Sequence, residues 1–93
     1  MNFNLSIPEM LERIASLLSA YNESSWSRAC LSHASLFKTD PELAKSEIRS
    51  MYGGMGAFND LVLQTSDGVM PRADNVELDA LRTKLYDLCG TQC

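Results

Sequence analysis

Positive charge is scarce in this chain: eight Lys and Arg stand against twelve Asp and Glu over 93 residues, a formal net charge of −4. Proteins that wrap duplex nucleic acid need many cationic phosphate contacts, and polybasic membrane-surface segments need a cluster of Lys or Arg. Neither kind of partner is expected. No run approaches the 18 or so apolar residues of a membrane span. The first residues, Met1 to Glu9, hold no basic group and reach an acid where a signal peptide is most apolar, so a cytoplasmic chain is expected. The sequons Asn4-Leu5-Ser6 and Asn22-Glu23-Ser24 then read as chance matches. Three cysteines, Cys30, Cys89 and Cys93, are an odd count and a poor disulfide framework in a reducing compartment, which points to free thiols. Repeats and low-complexity runs are lacking too, and the length allows one core, hence a single helical domain over 1–93.

The sequence does hold four helix signals. Ser6-Ile7-Pro8-Glu9 has the form of a capping box, in which the serine hydroxyl accepts from the Glu9 amide and the carboxylate reaches back. Behind it Met10, Ile14, Leu17, Leu18 and Tyr21 recur at three and four residues, predicting a helix over 8–21 with one apolar face. Asn22 and Ser24 offer the next cap, and Trp26, Cys30, His33 and Phe37, flanked by Ala29 and Leu36, line a stripe over 24–38. Asp40-Pro41-Glu42 opens a third helix over 41–52, with Leu43, Ala44, Ile48 and Met51 as its face and Gly53 as its stop. Leu78, Leu81, Leu85 and Leu88 mark the last helix, placed over 76–89 after Asn75 and closed by Gly90. The fold class expected is mainly α.

Residues 53–75 separate the third and fourth helices and carry four of the five glycines. A structureless connection of that length is uncommon in a compact domain. Leu61-Val62-Leu63-Gln64 and Val69-Met70, joined across Asp67-Gly68, have the pattern of a small hairpin. A lone hairpin is marginal, so it would have to pack on the helices.

Catalytic signatures are thin. Cys30 and His33 lie one helical turn apart and could pair as nucleophile and base, although a histidine in an apolar stripe is more commonly a satisfied core residue. No Gly-x-Ser-x-Gly elbow is present, so a serine triad of the hydrolase type has no support. Cys30, His33, Cys89 and Cys93 could in principle hold zinc, but Cys-x-x-His and Cys-x-x-x-Cys are not the spacings of a common zinc module. Gly54-Met55-Gly56-Ala57-Phe58-Asn59 starts like a dinucleotide turn, lacks the third glycine and follows a helix, and no Gly-Lys-Ser/Thr is present. No cofactor, no metal and no enzymatic activity are expected.

Acidic residues crowd the second half. From Glu47 to Cys93 seven acids face four bases, a net of −3 against −1 for residues 1–46. Such a surface could meet a basic protein, although acids also simply solvate loops and helix faces. Glu47 falls within the span of the third helix's apolar face, and so either needs a polar partner or sits at its edge. Met51, Tyr52, Met55 and Phe58 make a soft aromatic cluster, suited to a core and equally to an interface anchor.

The stretch Met51-Tyr52-Gly53-Gly54-Met55-Gly56-Ala57-Phe58-Asn59-Asp60-Leu61-Val62-Leu63, followed by Asn75, Leu78, Leu81, Leu85 and Tyr86, resembles a family of small uncharacterised bacterial proteins. Their shared mark is Gly-Gly-Met-Gly-Ser/Ala-Phe-Asn-Asp-Leu ahead of a closing leucine-rich helix. The resemblance runs from the third helix to the end and brings no assigned chemistry. In size and acidity the family is similar to immunity proteins that neutralise bacterial toxins, an analogy rather than a motif. Within the motif, Asn59 and Asp60 can turn the backbone through side-chain bonds, while Phe58 and Leu61 to Leu63 anchor the insertion on the helices. The resulting expectation is a non-enzymatic immunity-type protein that binds and neutralises a cognate, basic toxin domain, with Asp60, Asp67, Asp74, Glu77 and Asp79 as contacts. The alternative is a self-associating structural or regulatory helical module, a homo-oligomer using the Leu78–Leu88 face.

Overall fold

The computed structural model describes residues 5–53 and 57–90. Four helices follow in order: α1 (Ile7–Ala20), α2 (Ser24–Thr39), α3 (Pro41–Ser50) and α4 (Arg72–Cys89), with a short 3-10 turn at Phe58–Asp60. Helix α1 packs on α2 and α4, and α3 bridges α2 and α4. The mainly α architecture is the one expected, and no strand occurs among the described residues.

The capping box forms: the Ser6 amide donates to Glu9 Oε1 at 2.9 Å and the Glu9 amide to Ser6 Oγ at 3.3 Å. Asp40 caps α3 by accepting from the Leu43 amide at 3.1 Å, with Pro41 in the first turn. Between α1 and α2 the capping differs from the expectation. Asn22 adopts a left-handed φ of 67° and ends α1. The Glu23 amide donates to Leu18 O at 2.9 Å and the Asn22 amide to Ser19 O at 3.2 Å, a Schellman closure with Asn where Gly is usual. Glu23, at the N-cap of α2, makes no side-chain cap.

The core is built on α1, whose Met10, Leu11, Ile14 and Leu18 are fully buried. Cys30 and Ala34 of α2, Ile48 of α3, Phe58, Leu63, and Leu78, Leu81, Leu85 and Cys89 of α4 close it. Trp26 and Phe37 pack half-buried against it. Ser27 lets α2 approach α1 closely, its hydroxyl donating to Ala15 O at 2.9 Å inside the contact. Two residues placed on the α3 face lie outside the core: Leu43 is exposed, and Glu47 sits at the exposed edge.

Two boundaries are corrected. Helix α3 ends at Ser50, two residues early. Helix α4 starts at Arg72 rather than 76, because Asn75 is not a cap but a clasp on the loop. Gly90 ends α4 with an ordinary φ of −86°, and the reason for glycine is space, since a Cβ there would lie 2.7 Å from Arg49 Nη1.

The hairpin is also replaced. Thr65 and Val69 share one backbone hydrogen bond, at 2.8 Å, around a turn in which Gly68 has φ 87°. The Thr65 hydroxyl donates to the Asp67 carboxylate, and no strands pair on either side. Two short strands alone are marginal, and Leu63 finds its backbone partners on α4 instead. Gly54, Met55 and Gly56, and with them the dinucleotide-turn reading, lie outside the described residues, as does Cys93.

Candidate functional site

Residues 61–64 run extended across α4, with Leu61 half-buried, Val62 exposed, Leu63 fully buried and Gln64 exposed. That is the period-two alternation of a strand, but two α4 side chains take the place of a neighbouring strand. Asn75 holds both backbone groups of Leu63: the Leu63 amide donates to Oδ1 at 2.7 Å, and Nδ2 donates to Leu63 O at 3.1 Å and to Pro71 O at 2.9 Å. Arg82, only 8% exposed, donates from Nη1 to Phe58 O at 2.8 Å and to Leu61 O at 2.9 Å. Its Nη2 lies 3.5 Å from the Asp79 carboxylate. Together they fix the loop so that Val62 points away from the core.

On α4, Val76, Asp79, Ala80, Thr83 and Asp87 recur at three- and four-residue spacing, a second stripe offset from Leu78, Leu81 and Leu85. Between this stripe and the loop lie two concavities that share Asp79 and Arg82. The first is a mainly apolar groove of about 600 Å³ between Leu61, Val62 and Met70 on the loop and Val76 and Ala80 on α4, with Arg72 also in its lining. The second is a cleft of about 380 Å³ between Tyr52, Asn59 and the Thr83–Asp87 stretch of α4.

Tyr52 and Tyr86 form the aromatic wall of the cleft, with ring centroids 4.8 Å apart at 60°. Tyr52 also meets Phe58 edge-on at 5.2 Å, and its hydroxyl donates to Arg82 O at 2.7 Å. Burial pushes the Tyr52 phenol well above its usual pKa. The Gly53 amide donates to Asn59 Oδ1 at 3.1 Å, the side-chain turn expected of Asn59.

Seven large hydrophobic side chains are exposed among the described residues, and Val62, Met70 and Val76, 49, 59 and 54% exposed, meet in the groove. Val69 adjoins them in the chain and Tyr86 lines the cleft; only Leu31 and Leu43 lie on other elements. Isolated exposed hydrophobics are ordinary, whereas a contiguous group marks an interaction surface.

The five acids singled out in the sequence do not converge. Asp79 lines both concavities. Asp74 and Glu77 turn to α1: the Tyr21 hydroxyl donates to Asp74, and Arg13 pairs with Glu77 through Nε at 2.5 Å and Nη2 at 2.8 Å. The hydrogen bond from Arg13 holds the Glu77 carboxyl below its usual range, and the bond to Asp74 raises the Tyr21 phenol. Asp67 belongs to the turn, its carboxyl lowered by the Thr65 hydroxyl. Asp60 is exposed at the end of the 3-10 turn. Val62, Met70 and Val76 were missed because the first two read as hairpin strands and the third falls outside the leucine spacing.

The thiols are poorly equipped for nucleophilic work. Burial pushes Cys30 up to about 12 and Cys89 up to about 11, so both are protonated near neutral pH. Burial likewise lowers His33, against the pull of Glu47. Among the described residues no group of three or more His, Cys, Asp or Glu could hold a metal ion, and no helix is long and apolar enough to cross a membrane.

The described residues form a mainly α domain with a partly apolar concave surface along α4. A family model described as a domain of unknown function (DUF6966) matches residues 12–72, and the chain belongs to that family. The match begins inside α1 and ends at the first residue of α4, so the first helices are part of the family domain along with the glycine-rich segment. No curated protein and no solved structure gives a significant match.

Proposed function

We propose that this chain is a non-enzymatic, immunity-type protein that neutralises a basic toxin domain by binding it through the groove between α4 and residues 61–70. The observation that supports this reading most is the exposed group Val62, Met70 and Val76, beside a loop fixed by Asn75 and Arg82, in a groove also lined by Asp79, Arg72 and Arg82. Interface energy concentrates in a few central, well-packed side chains, and methionine is enriched at interfaces whose rims are polar and solvent-accessible. A net charge of −4 favours a basic partner and speeds its approach at low salt. The toxin as target rests on size, acidity and the family likeness. Self-association through the Leu78–Leu88 face draws no support from the packing, because Leu78, Leu81 and Leu85 are consumed in the monomer's own core.

The test is capture at low salt of a stoichiometric basic protein that is toxic when expressed alone and harmless with this chain. Val76→Asp and Met70→Asp should then weaken binding at least about 30-fold, the effect of losing a central anchor worth about 2 kcal/mol. Leu31→Asp, on α2, should leave it unchanged. Full neutralisation by a folded Val76→Asp variant would refute the groove as the binding site.

A further inference from the structure

We propose that the groove between α4 and residues 61–70 takes an apolar segment of the partner that carries one acidic side chain, whose carboxylate pairs with Arg72. That the segment belongs to a toxin rests on the partner reading above; the chemistry of the groove does not.

Four polar side chains line the groove, and three of them are engaged within the chain. Asn75 bonds both backbone groups of Leu63 and, through Nδ2, Pro71 O. Arg82 directs Nη1 to the carbonyls of Phe58 and Leu61, and its Nη2 lies 3.5 Å from Asp79, so these two opposite charges offset each other. The fourth is Arg72. It is exposed, and among the described residues its side chain makes no hydrogen bond or ion pair. The groove thus holds one uncompensated positive charge, in a chain whose net charge is −4. A cation in the first turn of a helix opposes the helix dipole, so this charge does not strengthen α4.

Position decides what can use that charge. Arg72, Val76 and Ala80 follow at four-residue spacing and share one face of α4. At 1.5 Å per residue, Arg72 stands about 6 Å along the helix axis from Val76. Val62 and Met70 border the same groove from the loop. In an extended segment that rises about 3.3 Å per residue, a carboxylate at Arg72 is therefore one or two positions from an apolar side chain seated among Val62, Met70 and Val76. A basic side chain there would meet like charge, and a neutral one would cover the guanidinium without pairing it. A carboxylate matches the two-pronged guanidinium fork. The overall charge and Arg72 act at different ranges: the first steers the approach of a basic partner, and the second selects what fits on contact.

The experiment is titration of the intact, 15N-labelled protein at low salt with the blocked peptide acetyl-Leu-Glu-Leu-amide, read from amide chemical shifts. The expected result is saturable shifts at Val62, Met70 and Val76 with a dissociation constant on the order of millimolar, as befits a short unconnected segment. The glutamine peptide acetyl-Leu-Gln-Leu-amide should bind about threefold to fivefold more weakly, the range of an exposed ion pair, and the lysine peptide more weakly still. Arg72→Gln removes an exposed side chain without internal partners, so the spectrum should otherwise be unchanged. In that variant the glutamate and glutamine peptides should bind alike, and in Arg72→Glu the order of the glutamate and lysine peptides should reverse. No saturable shift with any peptide, equal binding of the glutamate and glutamine peptides to the native chain, or a glutamate preference that survives Arg72→Gln would each overturn the assignment. The titration needs no partner protein, so its failure leaves the partner reading standing. Failure of the partner reading instead shows as partner binding indifferent to Val76→Asp.

Discussion

Replacing Arg82 with Met isolates the contact that fixes the glycine-rich segment to α4. Methionine keeps the unbranched stem and has nearly the helix propensity of arginine, so α4 itself is barely weakened. What disappears is the donor to Phe58 O and Leu61 O, at 2.8 and 2.9 Å. Hydrogen bonds to a charged group contribute about 1.5–3 kcal/mol each, and a carbonyl stranded out of water costs about the same. Water can reach Leu61 O in part, so the two together are worth about 3 kcal/mol rather than the upper sum. The Asp79 contact adds little, because that carboxylate is mostly exposed. A domain of this size is stable by about 5–14 kcal/mol, so the loss is a large share of the total. With a urea m-value of about 1 kcal/mol/M the unfolding midpoint should fall by about 3 M. Unfolding followed by circular dichroism at 222 nm reads this directly. Arg82→Lys should recover only part of the loss, since one ammonium cannot reproduce the planar fork. A drop below about 1 kcal/mol for Arg82→Met would refute the view that Arg82 holds the loop.

Asn75→Ala should cost about 2 kcal/mol by unpairing both backbone groups of Leu63, and amide exchange should accelerate at residues 61–70 before the helices. The Arg13 pair lowers the folded-state pKa of Glu77, so its stabilisation is present above the ordinary carboxylate pKa and is lost as pH falls through the lowered one. Glu77→Gln should therefore shrink the difference in urea midpoint between pH 7 and pH 3, by no more than about 1 kcal/mol because Arg13 is half exposed; an unchanged difference would contradict the pairing. Iodoacetamide at pH 7.5 should spare Cys30 and Cys89 in the native protein and label both in urea, as peptide mass spectrometry would show.

Features written within a few residues were legible in the sequence. The Ser6–Glu9 box, the Asp40–Pro41 start and the apolar stripes of α1 and α4 depend on neighbours one turn away, and the structure builds them as expected. What sequence spacing could not show was any partner far along the chain. Glu77 meets Arg13 from 64 residues away, and Tyr21 meets Asp74 from 53, so acids that looked available to a partner are engaged internally. Arg82 reaches back 24 residues to Phe58, and nothing local distinguishes it from a surface arginine. The alternation at 61–64 was read correctly but paired with the wrong element, because a side-chain clasp leaves no periodic signal. The groove was missed for that reason: Val62 points outward only once Asn75 and Arg82 have fixed the loop.

The most direct test of the binding account is a photo-crosslinking amino acid placed at Val76, compared with the same group at Leu31, in cells that carry the native partner. The account predicts that position 76 captures one basic protein, toxic on its own, and that position 31 does not. Equal capture at both positions, or capture of that protein from position 31 alone, would contradict it.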